Sequence, residues 1–210
     1  MAIISNGTTI ADAGAFSASL GSMVLIKTIT ISSNAATVSF VHGSSDVVLD
    51  STYPIYKFEI INLHPDTNKV YFGFQASTDS GSNYGVTCTA SNFGAFQTEG
   101  GSDGSLGYQT GGDLTQSTSY PQIGAGDRLG SHNDNNFAAE LILFNPSNTT
   151  FIKHFLCSTQ HGGADAATSS NYCGGYFNTT SAINAMSFKF HNNASNIQSG
   201  KIKLYGIKDS

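Results

Sequence analysis

The chain has 210 residues, of which only 11% are charged, and its formal net charge is −5. Nine Lys and Arg, scattered without a basic stripe, exclude a phosphate-neutralising surface and with it nucleic acid. Its longest apolar runs, MVLI and LILF, fall far short of the ~20 residues that cross a bilayer, so no membrane insertion is expected.

The N-terminal stretch MAIISNGTTIADAGAFSASLG lacks the basic start and long apolar run of a signal peptide, which predicts synthesis in a cytosol without secretion by the general route. Ile3, Ile4, Ile10, Phe16 and Leu20 make it too apolar for a free tail, so residues 1–21 read as a docking arm. Within it, ADAGAFSASLGSM (11–23) fits at most a short helical turn, because Gly and Ser are poor helix formers.

From there the apolar period is two, the mark of half-buried strands. Strands are expected over SMVLIKTITIS (22–32), ATVSFV (36–41) and IYKFEIIN (55–62), the last with Tyr56, Phe58 and Ile60 on one face and Lys57 and Glu59 on the other. After the turn HPDTNK come VYFGFQA (70–76) and YGVTCTA (84–90). AAELILFN (138–145) is apolar enough for a central strand. FIKHFLCS (151–158), YCGGYFN (172–178), AMSFKFH (185–191) and KIKLYGI (201–207) complete about ten strands. No stretch carries a sustained 3.6-residue period. The expected fold is all-β: a two-sheet antiparallel β-sandwich, jelly-roll-like, in a single domain spanning 22–210 and closed by its final strand.

One segment, 97–136, breaks this pattern with nine Gly and only scattered apolar residues. Loops this long inside a compact domain are usually functional or mobile. It reads as the contact surface, with Tyr108, Asp113, Tyr120, His132, Asp134 and Asn135 as candidate binding residues: the tyrosines as aromatic anchors, the others as readers of polar groups.

Chemistry is sparse. The six His are dispersed along the chain, so no nucleophilic triad is expected. Glycoside hydrolysis needs two acids on neighbouring strands facing a groove. Only Glu59 and Glu140 lie in expected strands, and their outward polar faces read as solvated surface. HNDNN (132–136) and TDSGSN (78–83) fit no calcium-loop spacing and read as turns, so neither metal nor other cofactor is expected. Cys88, Cys157 and Cys173 form no CxxC. They read as buried thiols, with a Cys157–Cys173 bridge as the alternative. The NxS/T triplets at 6–8, 148–150, 178–180 and 193–195 are what an Asn- and Thr-rich surface yields by chance.

VLDSTYPIYKFEIINLHPDTN (48–68), ELILFNPSNTTFIKHF (140–155), GYFNTTSAINAMSFKF (175–190) and SGKIKLYGIK (199–208) resemble a family of small virion structural proteins of marine bacteriophages. The resemblance runs from about Met23 to Lys208 and is weakest over 97–136. It implies a non-enzymatic β-sandwich assembled in the host cytoplasm and carried on the virion as a head decoration or a fibre tip. Partners would be other virion proteins and further copies of the chain, a trimer among the options, with a host-surface glycan as ligand. A carbohydrate-binding module is the alternative function, and a polysaccharide depolymerase the third.

Overall fold

A computed structural model describes residues 3–5, 8–12, 15–16, 22–123, 128–191 and 195–209. Among them the chain forms strands, one 3-10 turn at Thr110–Gly112 and no α-helix. β1 (Ile3–Ser5), β2 (Thr8–Asp12) and β3 (Ala15–Phe16) pair antiparallel in a small sheet of their own. The helical turn expected over 11–23 is therefore replaced by strand at Ala11–Asp12 and Ala15–Phe16. Of the docking residues, Ile3 and Ile4 lie on β1, Ile10 on β2 and Phe16 on β3; Ile4 is exposed, and Leu20 lies outside the described residues.

The remainder is a β-sandwich. Eight strands carry it: β4 (Met23–Ile31), β5 (Val38–Val41), β6 (Ile55–Pro65), β7 (Tyr71–Ser77), β11 (Gln122–Ile123), β12 (Phe137–Phe144), β15 (Ala185–His191) and β16 (Ile197–Ile207). In chain order they switch between two antiparallel sheets at every step except β7 to β11, with orders β4-β16-β6-β12 and β5-β15-β7-β11. That interleaving is the jelly-roll order. Two insertions widen only the first sheet. β13 (Lys153–Gly163) and β14 (Ala167–Phe177) form a long hairpin beside β12. β8 (Cys88–Thr98) then pairs with β14, and β9 (Gly104–Tyr108) and β10 (Leu114–Ser117) share its outer edge end to end. One sheet thus has nine strands and its partner four.

Aromatic contacts tie the sheets face to face. Phe40 on β5 meets Phe58 on β6 at 5.4 Å between ring centroids, Phe72 on β7 meets Phe137 on β12 at 5.0 Å, and Phe74 on β7 meets Phe155 on β13 at 5.0 Å. All six rings are fully buried, and each such pair contributes ~0.5–1.5 kcal/mol beyond area burial. Ile202 and Leu204 of β16 are buried between β4 and β6, so the last strand closes the core as its alternation implies. Lys153 shares the inward face of Phe155, as its period-two spacing demands. It is fully buried, and its ammonium donates to the Phe151 and Thr179 carbonyls at 2.8 and 3.1 Å.

Several strands run further than the sequence suggests. β6 continues to Pro65 because a bulge at Asn62 (φ +50°) resets the alternation, putting Leu63 back inside after Ile60. The segment 97–136 is not one long loop: β8 enters it, and β9, β10, β11 and an isolated bridge at Leu129 divide the rest. Residues 124–127 lie outside the described set. Cys157 and Cys173 face each other in register across β13 and β14 as free thiols, and Cys88 is free as well. Burial pushes Cys88 and Cys173 up to about 12, which suits inert core positions rather than reactive ones.

Candidate functional site

The sequence-based candidates divide between two places. Tyr108 is exposed at the end of β9, and its hydroxyl donates to Asp113 Oδ2 at 2.5 Å; that hydrogen bond raises the Tyr108 pKa. Asp113 Oδ1 also accepts from the Asn92 backbone N–H at 3.0 Å, so this carboxylate fastens β9 and the 3-10 turn to β8. Asp113 and Tyr120 line one recess of about 410 Å³ with Lys189 and His191. Tyr120 is half-buried there: its hydroxyl donates to Ser187 Oγ at 3.2 Å and Lys189 Nζ sits 4.1 Å from its ring centre. Burial, reinforced by Lys189, depresses the His191 pKa to about 4.

His132, Asp134 and Asn135 lie elsewhere, in the turn before β12. The Asn135 N–H closes that turn on the His132 carbonyl at 2.9 Å, and the same carbonyl accepts from His64 Nε2 at 3.0 Å. Asn135 is buried, in close contact with Gly130 and Gly162, whereas His132 and Asp134 are exposed. These three hold a turn and do not converge with the tyrosines. Among the described residues no three His, Cys, Asp or Glu side chains gather as a metal site requires.

A different surface has the geometry of a binding site. Residues directly opposite in an antiparallel ladder share a face. On the outer face of the large sheet one such row runs Lys203–Glu59–Glu140–Ser158–Tyr172–Phe93, across β16, β6, β12, β13, β14 and β8. Tyr108 follows Phe93 in register on β9. Phe93 and Tyr172 are each 52% exposed and stack on one another, 5.2 Å between centroids and 16° between planes. Two large rings left half in water, held parallel by neighbouring strands, form a rigid platform.

Next to the platform the row dips. Ser158 is small and stands between Tyr172 and Glu140, whose Cα atoms are two strand spacings, about 10 Å, apart. The result is a trough along β13 with two recesses that share Tyr172, Ser158 and Glu140. One, of about 440 Å³, is mixed, with Gln160, Ser170 and Glu59 beside Ala138 and Ile61 in its lining. The other, of about 420 Å³, is apolar, with Leu156, Ile142 and Phe93.

The acids Glu59 and Glu140, expected on the solvated face, are opposed in register on neighbouring strands at the trough wall. Lys57 lies between them, its Nζ 2.8 Å from Glu140 Oε1 and 3.2 Å from Glu59 Oε1. Burial disfavours the Lys57 ammonium, but its hydrogen bonds to Glu140 and Glu59 outweigh that and raise its pKa. The cluster is therefore a partly neutralised, acceptor-rich wall, with one ammonium between two carboxylates. Gln160 accepts from Ser170 Oγ and donates to Thr168 Oγ1 at 2.5 Å, which fixes its amide plane. The Ser158 and Tyr172 hydroxyls have no protein partner among the described residues.

Sequence reasoning missed Phe93, Tyr172, Ser158 and Gln160 as a group. The available signal was alternation in SNFGAFQ and in STQ, which places Phe93, Ser158 and Gln160 on outward positions. What brings them together is the order of β8, β14, β13 and β12 across the sheet. Comparison of the chain with protein-family models, with curated proteins and with solved structures finds no match.

Proposed function

We propose that the chain is a non-enzymatic surface protein of a bacteriophage particle, a head decoration or fibre tip, and that its large sheet contacts a host-surface glycan. One observation carries the glycan reading: the exposed Phe93–Tyr172 stack beside a row of hydroxyl, amide and carboxylate groups. Sugar rings present apolar C–H faces to aromatic rings and hydroxyls to planar acceptors, and the trough offers both side by side. The virion setting rests on the sequence resemblance over residues 23–208 and on the hydroxyl- and amide-rich surface.

The test is direct. Intact protein should bind a neutral oligosaccharide on a glycan array, and Tyr172→Ala should weaken binding ~5–30-fold, the equivalent of about 1–2 kcal/mol for a lost stacking platform. Absence of binding to any glycan, or full affinity in the variant, overturns the glycan reading. Antibody against the chain should label intact particles; unlabelled particles overturn the virion placement.

The opposed Glu59 and Glu140 support a second reading, polysaccharide hydrolysis, because two acids on adjacent strands facing a groove are what that reaction uses. The shared Lys57 argues for binding instead, since a general acid must carry a proton and both carboxylates here accept from an ammonium. Release of new reducing ends that stops in Glu140→Gln would favour hydrolysis.

A further inference from the structure

The two recesses of the trough differ in character, and that contrast bears on which sugar fits. Resting on the glycan reading above, we infer that the trough selects an N-acetylated amino sugar, with the acetamido methyl in the apolar recess and the ring hydroxyls over the mixed one, beside Gln160 and Ser170. The apolar recess is walled by Leu156, Ile142, Phe93 and Tyr172. Leu156 and Phe93 are more than half exposed. A sugar carrying only hydroxyls would strip water from this recess without supplying carbon to fill it, and polar groups seated there lose hydrogen bonds.

An acetamido group matches the junction between the recesses. It offers a methyl, an N–H donor and a carbonyl acceptor within one planar unit. Glu140 stands at that junction as a carboxylate with one oxygen taken by Lys57, leaving Oε2 to accept the N–H. The Ser158 hydroxyl, on the trough floor and unpaired among the described residues, is the donor for the acetamido carbonyl. On the far side of the same junction, Gln160 and Ser170 face the ring hydroxyls. A 6-deoxy sugar also carries a methyl but brings no adjacent N–H for Glu140.

Calorimetry on the full chain should compare chitotriose with cellotriose, which differ in acetamido against hydroxyl at each C2, and include an L-fucose oligosaccharide. The expected result is at least tenfold tighter binding of chitotriose. Leu156→Ser should cost chitotriose about tenfold and cellotriose much less, and Glu140→Gln should also act mainly on chitotriose. Circular dichroism melts of both variants check folding, and Ile142→Ala serves as a second variant of the apolar recess. Equal affinity for the first two ligands, or tightest binding of the fucose ligand, overturns this inference and leaves the glycan reading standing. Silence towards every glycan overturns both.

Discussion

Replacing Lys57 by Met tests whether Glu59 and Glu140 are held together by the ammonium between them. The substitution keeps the aliphatic stem and removes the charge, leaving two carboxylates directly opposite on adjacent strands. Opposed Cβ atoms lie ~4.5–5.5 Å apart. At about 5.5 Å, two unit charges repel by ~0.8 kcal/mol at a dielectric constant of 80 and ~3 kcal/mol at 20. The Glu59 side chain is 26% exposed and Glu140 53%, which places the pair towards the wetter end. The expected destabilisation is therefore about 1–2 kcal/mol at pH 7 and low salt, read by urea unfolding. It should shrink in ~1 M salt, where the screening length falls to ~3 Å. Glu140→Gln added to Lys57→Met should restore most of the loss. Unchanged stability in the single variant, or no recovery in the double, refutes the idea that Lys57 offsets the repulsion within this wall.

Two further outcomes concern the scaffold. His191 has a folded-state pKa of about 4 against ~6.5 unfolded, so below pH 6.5 the unfolded chain binds a proton that the folded chain refuses. Stability should be full above that value and fall by up to ~1.4 kcal/mol per unit as the pH drops towards 4. His191→Phe should flatten thermal melts over this window, and a parent protein with no such slope contradicts the assignment. At Gly206 an added Cβ would stand 2.2 Å from the Tyr53 ring, which is itself buried against Tyr56. Gly206→Ala should cost ~1–3 kcal/mol by overpacking, whereas Gly100→Ala, which meets nothing, should leave the melting temperature unchanged.

The jelly-roll strands were legible because they contrast an apolar inner face with a polar outer one. Tyr56, Phe58 and Ile60 against Lys57 and Glu59 is the clearest case. The inserted strands lack that contrast. The inner positions of β8, β13 and β14 include Asn92, Thr159, His161, Ser169 and Asn171, all buried. Over part of this region they face connecting segments rather than the second sheet: Asn92 Nδ2 donates to the Gly112 carbonyl at 2.6 Å. With polar residues on both faces, Thr159–Gly163 and Ala167–Asn171 carry no apolar period, so the strands expected over 151–158 and 172–178 stop short of them. Backbone pairing along eleven-residue strands holds them instead. The candidate site fell in this blind region. Phe93 and Tyr172 are 79 positions apart in the chain and become neighbours only through strand order (172 − 93 = 79). The six residues chosen from 97–136 were conspicuous for their composition, yet the structure uses Asp113 and Asn135 to fasten loops.

The insertion of β8–β10 and β13–β14 on one flank divides labour between odd and even positions along the same strands. Phe155 and Phe177 point inward to Phe74 and are answerable to the core. Leu156, Ser158, Gln160 and Tyr172 point outward and answer to nothing in the interior. A lineage carrying this architecture can therefore rewrite one residue in two along the flank, changing what that face presents to solvent, while the interleaved sandwich of eight strands beneath stays as it was.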